Sequence, residues 1–414
     1  MRYLIQIFVA FMLLVPSFCF AEDSVSALKS IFSLALKNSE KIAVSEQSVR
    51  RAEMLYKQTF GLAIPEITFR HQSTWQDQSL MNTSGMFRVS RTGLTGYREL
   101  AALRSGKLLV LQRQYETQRV KQLLFSDVAS AFFGLLQSKE NILSIEKSLA
   151  LAGKRKKELE ERVRIGRARD ADLIEQQFQE ISLQVQREEN ERGADNRRQL
   201  LSFLAGNEVT DPDLAGVTPD GEMPVLDQYL SKIDRRPDVQ ALVENVEISK
   251  TLVDNNRANY FPQWETTANL YPYQQSSREG IDWDVTLNAV LPLWSWGARE
   301  AQMDSSRSAL DQSWKELGAA KRQALLELKQ AYRDYASAKK QLNLQQQALE
   351  LARNDYELQV RDDRRGLVTS LEVIESLNRL NSAELALNNS RLQERLSALN
   401  LEIAAGASPE EILK

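Results

Sequence analysis

The feature that most constrains the fold of this chain is an internal duplication. When the sequence is moved along itself by 200 residues, positions 121–206 align with 321–406 without a gap, and 14 of the 86 pairs are identical. Composition alone predicts roughly one identity in sixteen pairs. The matched pairs include Gly166 with Gly366. The chain is therefore expected to fold as two copies of one unit.

Each copy is predicted to contain a helix, two strands, a long helix, a turn marked by Gly and a returning helix. Only 17 Gly and 10 Pro occur in 414 residues, which favours long uninterrupted elements. In the first copy the predicted ranges are a helix at 24–60, a strand region at 64–89, a long helix at 98–165 and a return helix at 170–204. In the second copy they are 237–259, 263–291, 298–361 and 369–404, in the same order. The corresponding domains are a signal peptide (1–21), a first repeat (22–206, strands at about 62–92), a linker (207–225), a second repeat (226–406, strands at about 262–292) and a C-terminal tail (407–414).

The N-terminal residues have the pattern of a secretory signal peptide. Arg2 precedes an apolar run, and Cys19-Phe20-Ala21 supplies a small-x-small cleavage site before Glu22. Lipid attachment at Cys19 is the alternative, but the bulky Phe18 before it disfavours that interpretation. Beyond this segment the sequence has no run of about 18 apolar residues that would predict a transmembrane helix.

Apolar residues in the long helices have the spacing of a coiled coil. In the first copy they recur at steps of three, four and seven residues: Ile142, Ile145, Leu149, Ala152, Leu159 and Val163. The return helix repeats the pattern with Ile174, Phe178, Ile181 and Val185. At 1.5 Å per residue the long helix measures about 100 Å, close to the two shorter helices of its copy placed end to end. A free-standing coiled coil, as in a secreted scaffold or adaptor without a pore, would show the same spacing.

The strand regions alternate between apolar and polar residues. In the second copy Trp264, Ala268 and Leu270 alternate with Gln263, Glu265 and Asn269. Segments of about ten residues with one apolar and one polar face can cross a bilayer as tilted strands, although a half-buried soluble sheet alternates in the same way. Four Trp residues lie in or beside these strands and predict an aromatic belt at the membrane interface: Trp264, Trp283, Trp294 and Trp296.

Four strands cannot close a transmembrane barrel, because the smallest known barrels have about eight and open edges are not tolerated in lipid. The strands must therefore come from several chains. Three chains would supply twelve strands and two would supply eight, and the spacing does not decide between them.

Composition excludes several classes of function. The sequence has a single His and a single Cys, which are too few ligands for a transition-metal site and do not provide the nucleophile and base of a triad. No metal, cofactor or catalytic residue is therefore predicted, and the chain is not expected to be an enzyme. The net charge of −3 gives no bias toward nucleic acid.

The residues resemble the outer membrane efflux protein family, the TolC-like exit ducts of tripartite exporters. The pieces that carry the resemblance are Arg236-Pro237-Asp238, Tyr260-Phe261-Pro262, Pro292-Leu293-Trp294 with Gly297, Ala331-Tyr332, and Gly366 followed by Leu371-Glu372-Val373-Ile374-Glu375. The resemblance implies a mainly α fold with a small β part, in which a homotrimer joins a twelve-stranded outer membrane barrel to a periplasmic coiled-coil tunnel. It further implies a passive duct that works with a periplasmic adaptor and an inner membrane pump. The exported substrate stays open among drugs, metal ions and polypeptides.

The resemblance also implies roles for individual residues. The turns would dock the adaptor, and the residues concerned are Gly166, Arg167, Ala168, Gly366, Leu367 and Val368. Four acids would line the periplasmic aperture of the pore: Asp172, Glu175, Glu372 and Glu375. A ring of acids favours cations and raises the pKa of its members by repulsion, whereas solvated or ion-paired helix charge is the alternative. Because Arg365 precedes Gly366 where some members carry a basic residue after it, Asp172 with Arg365 is the gate pair to test.

Overall fold

The computed structural model describes residues 20–62, 64–76, 79–93, 98–209, 225–275 and 282–413. Residues 1–19 of the predicted signal peptide and 210–224 of the predicted linker lie outside them. In chain order the elements are α1 (Phe20–Asn38), α2 (Glu40–Leu62), β1 (Glu66–Gln76), β2 (Ser79–Gly93), α3 (Arg98–Arg164), α4 (Asp170–Ala205), α5 (Leu226–Leu230), a 3-10 turn (Ile233–Arg235), α6 (Pro237–Ala258), β3 (Gln263–Gln275), β4 (Trp283–Val290), α7 (Ala298–Arg364), α8 (Ser370–Ala404) and α9 (Pro409–Ile412).

The fold is mainly helical with one small antiparallel sheet, as the sequence predicted. The long helices α3 and α7 have 67 residues each, about 100 Å at 1.5 Å per residue. Near the sheet, α2, α3, α6 and α7 pack side by side in that order, and beyond them α3 pairs with α4 and α7 with α8. Helix α3 also packs against α8, which joins the two hairpins. No helix in the described ranges combines the length and the apolar character needed to cross a membrane.

The prediction of one continuous helix at 24–60 was wrong, because the structure divides it into α1 and α2 at Ser39. The side-chain amide of Asn38 donates a hydrogen bond to the carbonyl of Ala205, 2.7 Å away, at the end of α4. Asn and Ser form such bonds readily and are weak helix formers, so the break lies where the chain is tied to its neighbour.

The main core lies midway along the helices, where α1, α3, α4 and the end of α8 meet. The rings of Phe32 and Phe125 pack edge to face with centroids 4.9 Å apart, and Phe132 and Leu201 are fully buried around them. Burial of side chains of this size contributes roughly 1.5–3 kcal/mol each, so this core fixes the first hairpin on the end of the second.

Arg236 holds the start of α6 in place. It is only 1% exposed, and its Nη2 donates hydrogen bonds to Asp238 (2.6 Å) and to Glu327 of α7 (2.8 Å), while Nη1 donates to the Ala404 carbonyl of α8 (3.3 Å). Burial raises the pKa of the Asp238 carboxyl, but the hydrogen bonds and charge of Arg236 outweigh it, so that this pKa lies below its usual range. The Arg-Pro-Asp motif therefore joins three helices of the second repeat.

Candidate functional site

The four strands form a single sheet in the order β1-β2-β3-β4, with every neighbouring pair antiparallel. One face is apolar, because residues in register across the strands form two rows: Ile67, Val89, Ala268 and Val285, then Phe69, Phe87, Leu270 and Trp283. Ile67 is 72% exposed and Val285 59% exposed. The described chain therefore has an apolar sheet face that none of its own elements covers.

The opposite face is polar and hydrogen-bonded from strand to strand. Arg88 Nε donates to Asn269 Oδ1 at 3.0 Å, and Asn269 Nδ2 donates to Asp284 Oδ1 at 2.8 Å. The Tyr271 hydroxyl donates to the other oxygen of Asp284 at 2.7 Å. These side chains alternate along each strand with the apolar residues and therefore point to the opposite face. The period-two alternation in the sequence thus corresponds to two chemically different surfaces.

The Trp residues of the predicted belt lie at the two ends of the apolar face. Trp264 is the second residue of β3, and Trp294 and Trp296 follow β4 with their rings edge to face, centroids 6.0 Å apart, at the end of the sheet nearest the helices. Trp283 pairs with Leu270 toward the opposite end. Trp296 is 90% exposed, so it is available to a membrane interface.

The turns between the long and return helices have the same geometry in both copies. Gly166 (φ +71°) and Gly366 (φ +73°) adopt the left-handed conformation that favours Gly. Their N–H groups donate to the carbonyls of Val163 and Asp363, three residues back. The N–H groups of the next residues, Arg167 and Leu367, donate to the carbonyls of Arg162 and Asp362, five residues back, which completes the Schellman pattern. Arg167 and Leu367 follow the two glycines at the exposed apex, and Ala168 and Val368 are half-buried after them.

Two of the four predicted aperture acids cap the return helices. Glu372 Oε2 accepts a hydrogen bond from the backbone N–H of Thr369 at 2.6 Å, and Asp172 Oδ1 accepts one from Arg169 Nη2 at 2.7 Å. The hydrogen bond from Arg169 holds the pKa of the Asp172 carboxyl below its usual range. This direction is opposite to the one expected for a ring of acids, because the charge nearest to Asp172 within the chain is a cation.

The other two acids are exposed. Glu175 lies on the surface of α4, and Glu375 lies 3.9 Å from Arg379 one turn along α8. The residues of the predicted gate pair have other partners within the chain, since Asp172 contacts Arg169 and Arg365 contacts Asp362 at 3.8 Å.

A buried ion-pair cluster near the turns was missed by sequence analysis. Asp363 Oδ2 lies 2.7 Å from Arg155 Nη1 and 2.9 Å from Arg162 Nη1, and the side chains of Asp363 and Arg155 are only 6% and 4% exposed. Glu158 also contacts both arginines. The cluster joins the end of α7 to α3 and so fastens the second turn to the first hairpin.

The cluster continues a polar seam between α3 and α8. Asn141, Ser148, Arg155 and Arg162 recur at every seventh residue of α3. Asn388 Nδ2 donates to Asn141 Oδ1 at 3.1 Å, and the Ser148 hydroxyl donates to Asn381 Oδ1 at 3.3 Å. The seven-residue period of polar residues was the sequence signal that would have revealed the seam.

The apolar stripe that the sequence shows on the return helix faces away from the rest of its own chain. Four residues of α4, here named the α4 stripe, are exposed by 54–67%: Ile174, Phe178, Ile181 and Val185. Helix α4 instead contacts its own chain through Gln176, Gln179 and Leu183. A second exposed set on α7, here named the α7 stripe, consists of Leu344, Leu351 and Leu358 at seven-residue spacing.

Among the described residues, no group of three or more His, Cys, Asp or Glu is arranged to hold a metal ion.

The sequence and fold can be compared with known proteins at this point. A family model described as outer membrane efflux protein matches residues 230–407, which is the second repeat. This match places the second repeat in the outer membrane efflux protein family. No curated protein sequence gives a significant match.

Solved structures of outer membrane channels share the fold over nearly the whole chain. CusC superposes with a TM-score of 0.84 at 18% identity and covers 94% of each chain. VceC of Vibrio cholerae gives 0.78 at 17% identity over 92% of this chain and 97% of its own. MtrE of Neisseria gonorrhoeae gives 0.78 at 17% identity over 92% and 89%. At these identities the likeness shows the fold alone.

Proposed function

We propose that three copies of this chain close into one outer membrane channel, the passive exit duct of a tripartite efflux system. The family consists of outer membrane channels that extend into the periplasm. The observation that carries the proposal is the sheet, whose apolar face is exposed and whose outer strands β1 and β4 each have one edge unpaired within the described chain. In lipid every backbone group must be paired, so neighbouring copies would complete the strand pairing. A soluble scaffold without a pore gives no reason for such a face.

The helical part supports closure by the same neighbours. Counted from Gly166, the α4 stripe begins 8 and ends 19 residues into the hairpin, about 12–29 Å from the turn. Counted back from Gly366, the α7 stripe spans 8 to 22 residues, about 12–33 Å. The two stripes lie at matching heights, and their helices run in opposite directions. Helix α4 of one copy therefore fits against α7 of the next copy.

Disulfide trapping tests this arrangement. Ile181 and Leu351 each lie 15 residues from the Gly of their turn, so Ile181→Cys with Leu351→Cys should cross-link neighbouring copies. In a Cys19→Ser background we expect a covalent trimer on denaturing gels after mild oxidation. The matched control is Leu183→Cys with Leu351→Cys, because Leu183 is fully buried inside its own chain. Covalent dimers without trimers, or equal cross-linking in the control, would contradict a three-membered ring.

The turns are proposed to dock the periplasmic adaptor, while the pump supplies the energy. Leu367 is 70% exposed at the apex beside Val368, and the equivalent positions of the first copy are Arg167 and Ala168. An exposed Leu next to a glycine turn that no other element covers is suited to bind a partner through apolar contact. The acids that follow each turn are proposed to line the aperture, where threefold repetition would favour cations.

Two substitutions separate docking from aperture charge and serve as controls for each other. Leu367→Asp should reduce export in cells at least tenfold, because it places a charge in an apolar contact, and should leave the cation preference of the purified channel unchanged. Glu375→Gln should lower cation preference, measured as a shift of the reversal potential under a salt gradient, and leave export near normal. Normal export in the first variant refutes docking there, and an unchanged reversal potential in the second removes Glu375 from the pore.

A further inference from the structure

We propose that a cavity beside Arg395, midway along the helices, binds a single-chain amphiphile with an anionic head group. The cavity has a volume of about 1090 Å³ and lies between α1, α3, α8 and the C-terminal segment. Arg395 is 29 residues from Gly366, about 44 Å from the turns. The site is therefore separate from the proposed aperture and docking residues, and it does not depend on the channel function.

Arg395 is the group that requires a ligand. Its residue is 8% exposed, its guanidinium carbon lies 5.9 Å from the centre of the Phe133 ring, and it lines the cavity. Within the described residues it forms no hydrogen bond or ion pair, since Glu140 and Glu394 act on it only through their charge at longer range. Burial lowers the pKa of Arg395, which is the effect of removing the guanidinium from water without a close carboxylate.

A carboxylate or phosphate is the group that a guanidinium binds best. The planar fork of Arg can donate two parallel hydrogen bonds to either anion, and such charge-assisted bonds are about twice as strong as neutral ones. No side-chain nitrogen of Arg395 is both buried and without a partner, so the guanidinium faces the open space of the cavity, where an anion would replace the water around it.

The other walls of the cavity are suited to an apolar chain. Phe32, Phe125 and Leu399 line it and are almost fully buried, with exposures of 4%, 0% and 8%. The volume is far larger than a bare anion needs and is of the size that ligand pockets have in proteins. A ligand with an anionic head and an apolar tail uses both the guanidinium and the aromatic wall.

The other charged residues that line the cavity are Lys121, Lys232, Arg235, Glu402, Glu410 and Glu411. Lys232 and Arg235 are exposed there and favour the approach of an anion. The acid Glu402 already accepts a hydrogen bond from the Tyr229 hydroxyl at 2.7 Å, and Glu411 caps α9 by accepting the Ser408 N–H at 3.0 Å. These two carboxylates are held by partners on the protein, which leaves the guanidinium of Arg395 available.

The test is calorimetric titration of octanoate into the full mature protein in a non-ionic detergent, with the detergent alone as blank. We expect saturable binding with one site per chain in the wild type and at least a tenfold weaker affinity in Arg395→Gln. The matched control is Arg322→Gln, which removes an exposed cation of α7 outside the cavity and should bind like the wild type. If Arg395→Gln does not assemble, Arg395→Lys carries the test, because it keeps the charge but loses the fork and should bind several-fold more weakly.

Three further probes define the chemistry. Octanol has the chain without the charge and inorganic phosphate has the charge without the chain, so both should bind at least tenfold more weakly than octanoate. Octyl phosphate should bind, and its affinity relative to octanoate distinguishes a lipid-like phosphate head from a free carboxylic acid. The proposal is overturned if neither anionic amphiphile shows saturable binding, if octanol or phosphate equals octanoate, or if both Arg395 variants bind octanoate like the wild type.

Discussion

Replacing Asp363 with Ala is expected to raise the single-channel conductance of the purified channel several-fold in planar bilayers. The substitution leaves the guanidinium groups of Arg155 and Arg162 without the carboxylate that lies 2.7 and 2.9 Å from them. Removing one partner of a buried ion pair costs about 3–5 kcal/mol when the remaining charge has no other partner. The cost is smaller here, because Glu158 still lies 3.4 Å from Arg155 and 3.0 Å from Arg162. The second turn should then separate from α3 so that the arginines reach water, which widens the proposed aperture.

The neighbouring acid provides the control. Among the described residues, the carboxylate of Asp362 forms ion pairs with two arginines at the same turn, Arg361 at 3.5 Å and Arg365 at 3.8 Å, and its side chain is 30% exposed. Asp362→Ala removes the same charge from the same turn and should leave the conductance within a factor of two of the wild type. Equal conductance in the two variants would show that the buried cluster does not hold the tip closed.

Replacing Leu287 with Arg is expected to abolish the trimer in the outer membrane. Leu287 lies on the apolar face of β4 and is 63% exposed in the single chain. Arg on the lipid face near the middle of the bilayer costs about 2–4 kcal/mol, and a trimer would incur this cost three times. The measurement is the amount of heat-resistant trimer recovered from outer membrane fractions on unheated gels.

Thr286→Arg is the matched control for Leu287→Arg. Thr286 is the preceding residue of the same strand, and its side chain points to the polar face. In the proposed barrel that face meets water, so the same charge should be tolerated with near-normal recovery of trimer. If both variants assemble equally, the apolar face of β4 does not contact lipid.

The long elements of the fold could be predicted from the sequence because each was specified locally and twice. The 200-residue repeat predicted two hairpins, and Gly166 and Gly366 marked the turns, where the structure has positive φ values. The strand alternation predicted a two-faced sheet, and the register places the apolar residues of all four strands on one face. Periodicity and turn chemistry act over a few residues, which is why they could be read without the structure.

The partner of each helix face could not be predicted in the same way. Ile174 and Phe178 have the spacing of a coiled-coil seam, but Gln176 and Leu183 of the same helix are the residues that face the chain interior. Periodicity shows that a face is apolar without showing which helix covers it. The residues that pack within the chain and those left for a neighbour are therefore distinguished only by the three-dimensional arrangement.

The interpretation of the acids after the turns was incomplete for a related reason. Thr369 followed by Glu372 is a capping box that the sequence displays, and the structure uses Glu372 in this way. The partners of Asp363, by contrast, lie about 200 residues away on α3. The seven-residue spacing of Arg155 and Arg162 marks a polar face of α3, but which distant acid meets that face depends on the three-dimensional packing.

The polar seam between α3 and α8 also determines how force would travel along the tunnel wall. The hydrogen bond between Ser148 and Asn381 can be broken and replaced by hydrogen bonds to water at little net cost. A typical neutral hydrogen bond contributes only about 0.5–1.5 kcal/mol to stability. The ion-pair cluster at Asp363 opposes separation of the hairpins far more strongly than any single neutral hydrogen bond of the seam. A docked protein that pulls on the turn would therefore have to break the ion-pair cluster first. Once the cluster is broken, the remaining hydrogen bonds offer little resistance, so the two hairpins would separate in one step and not gradually as the force increases.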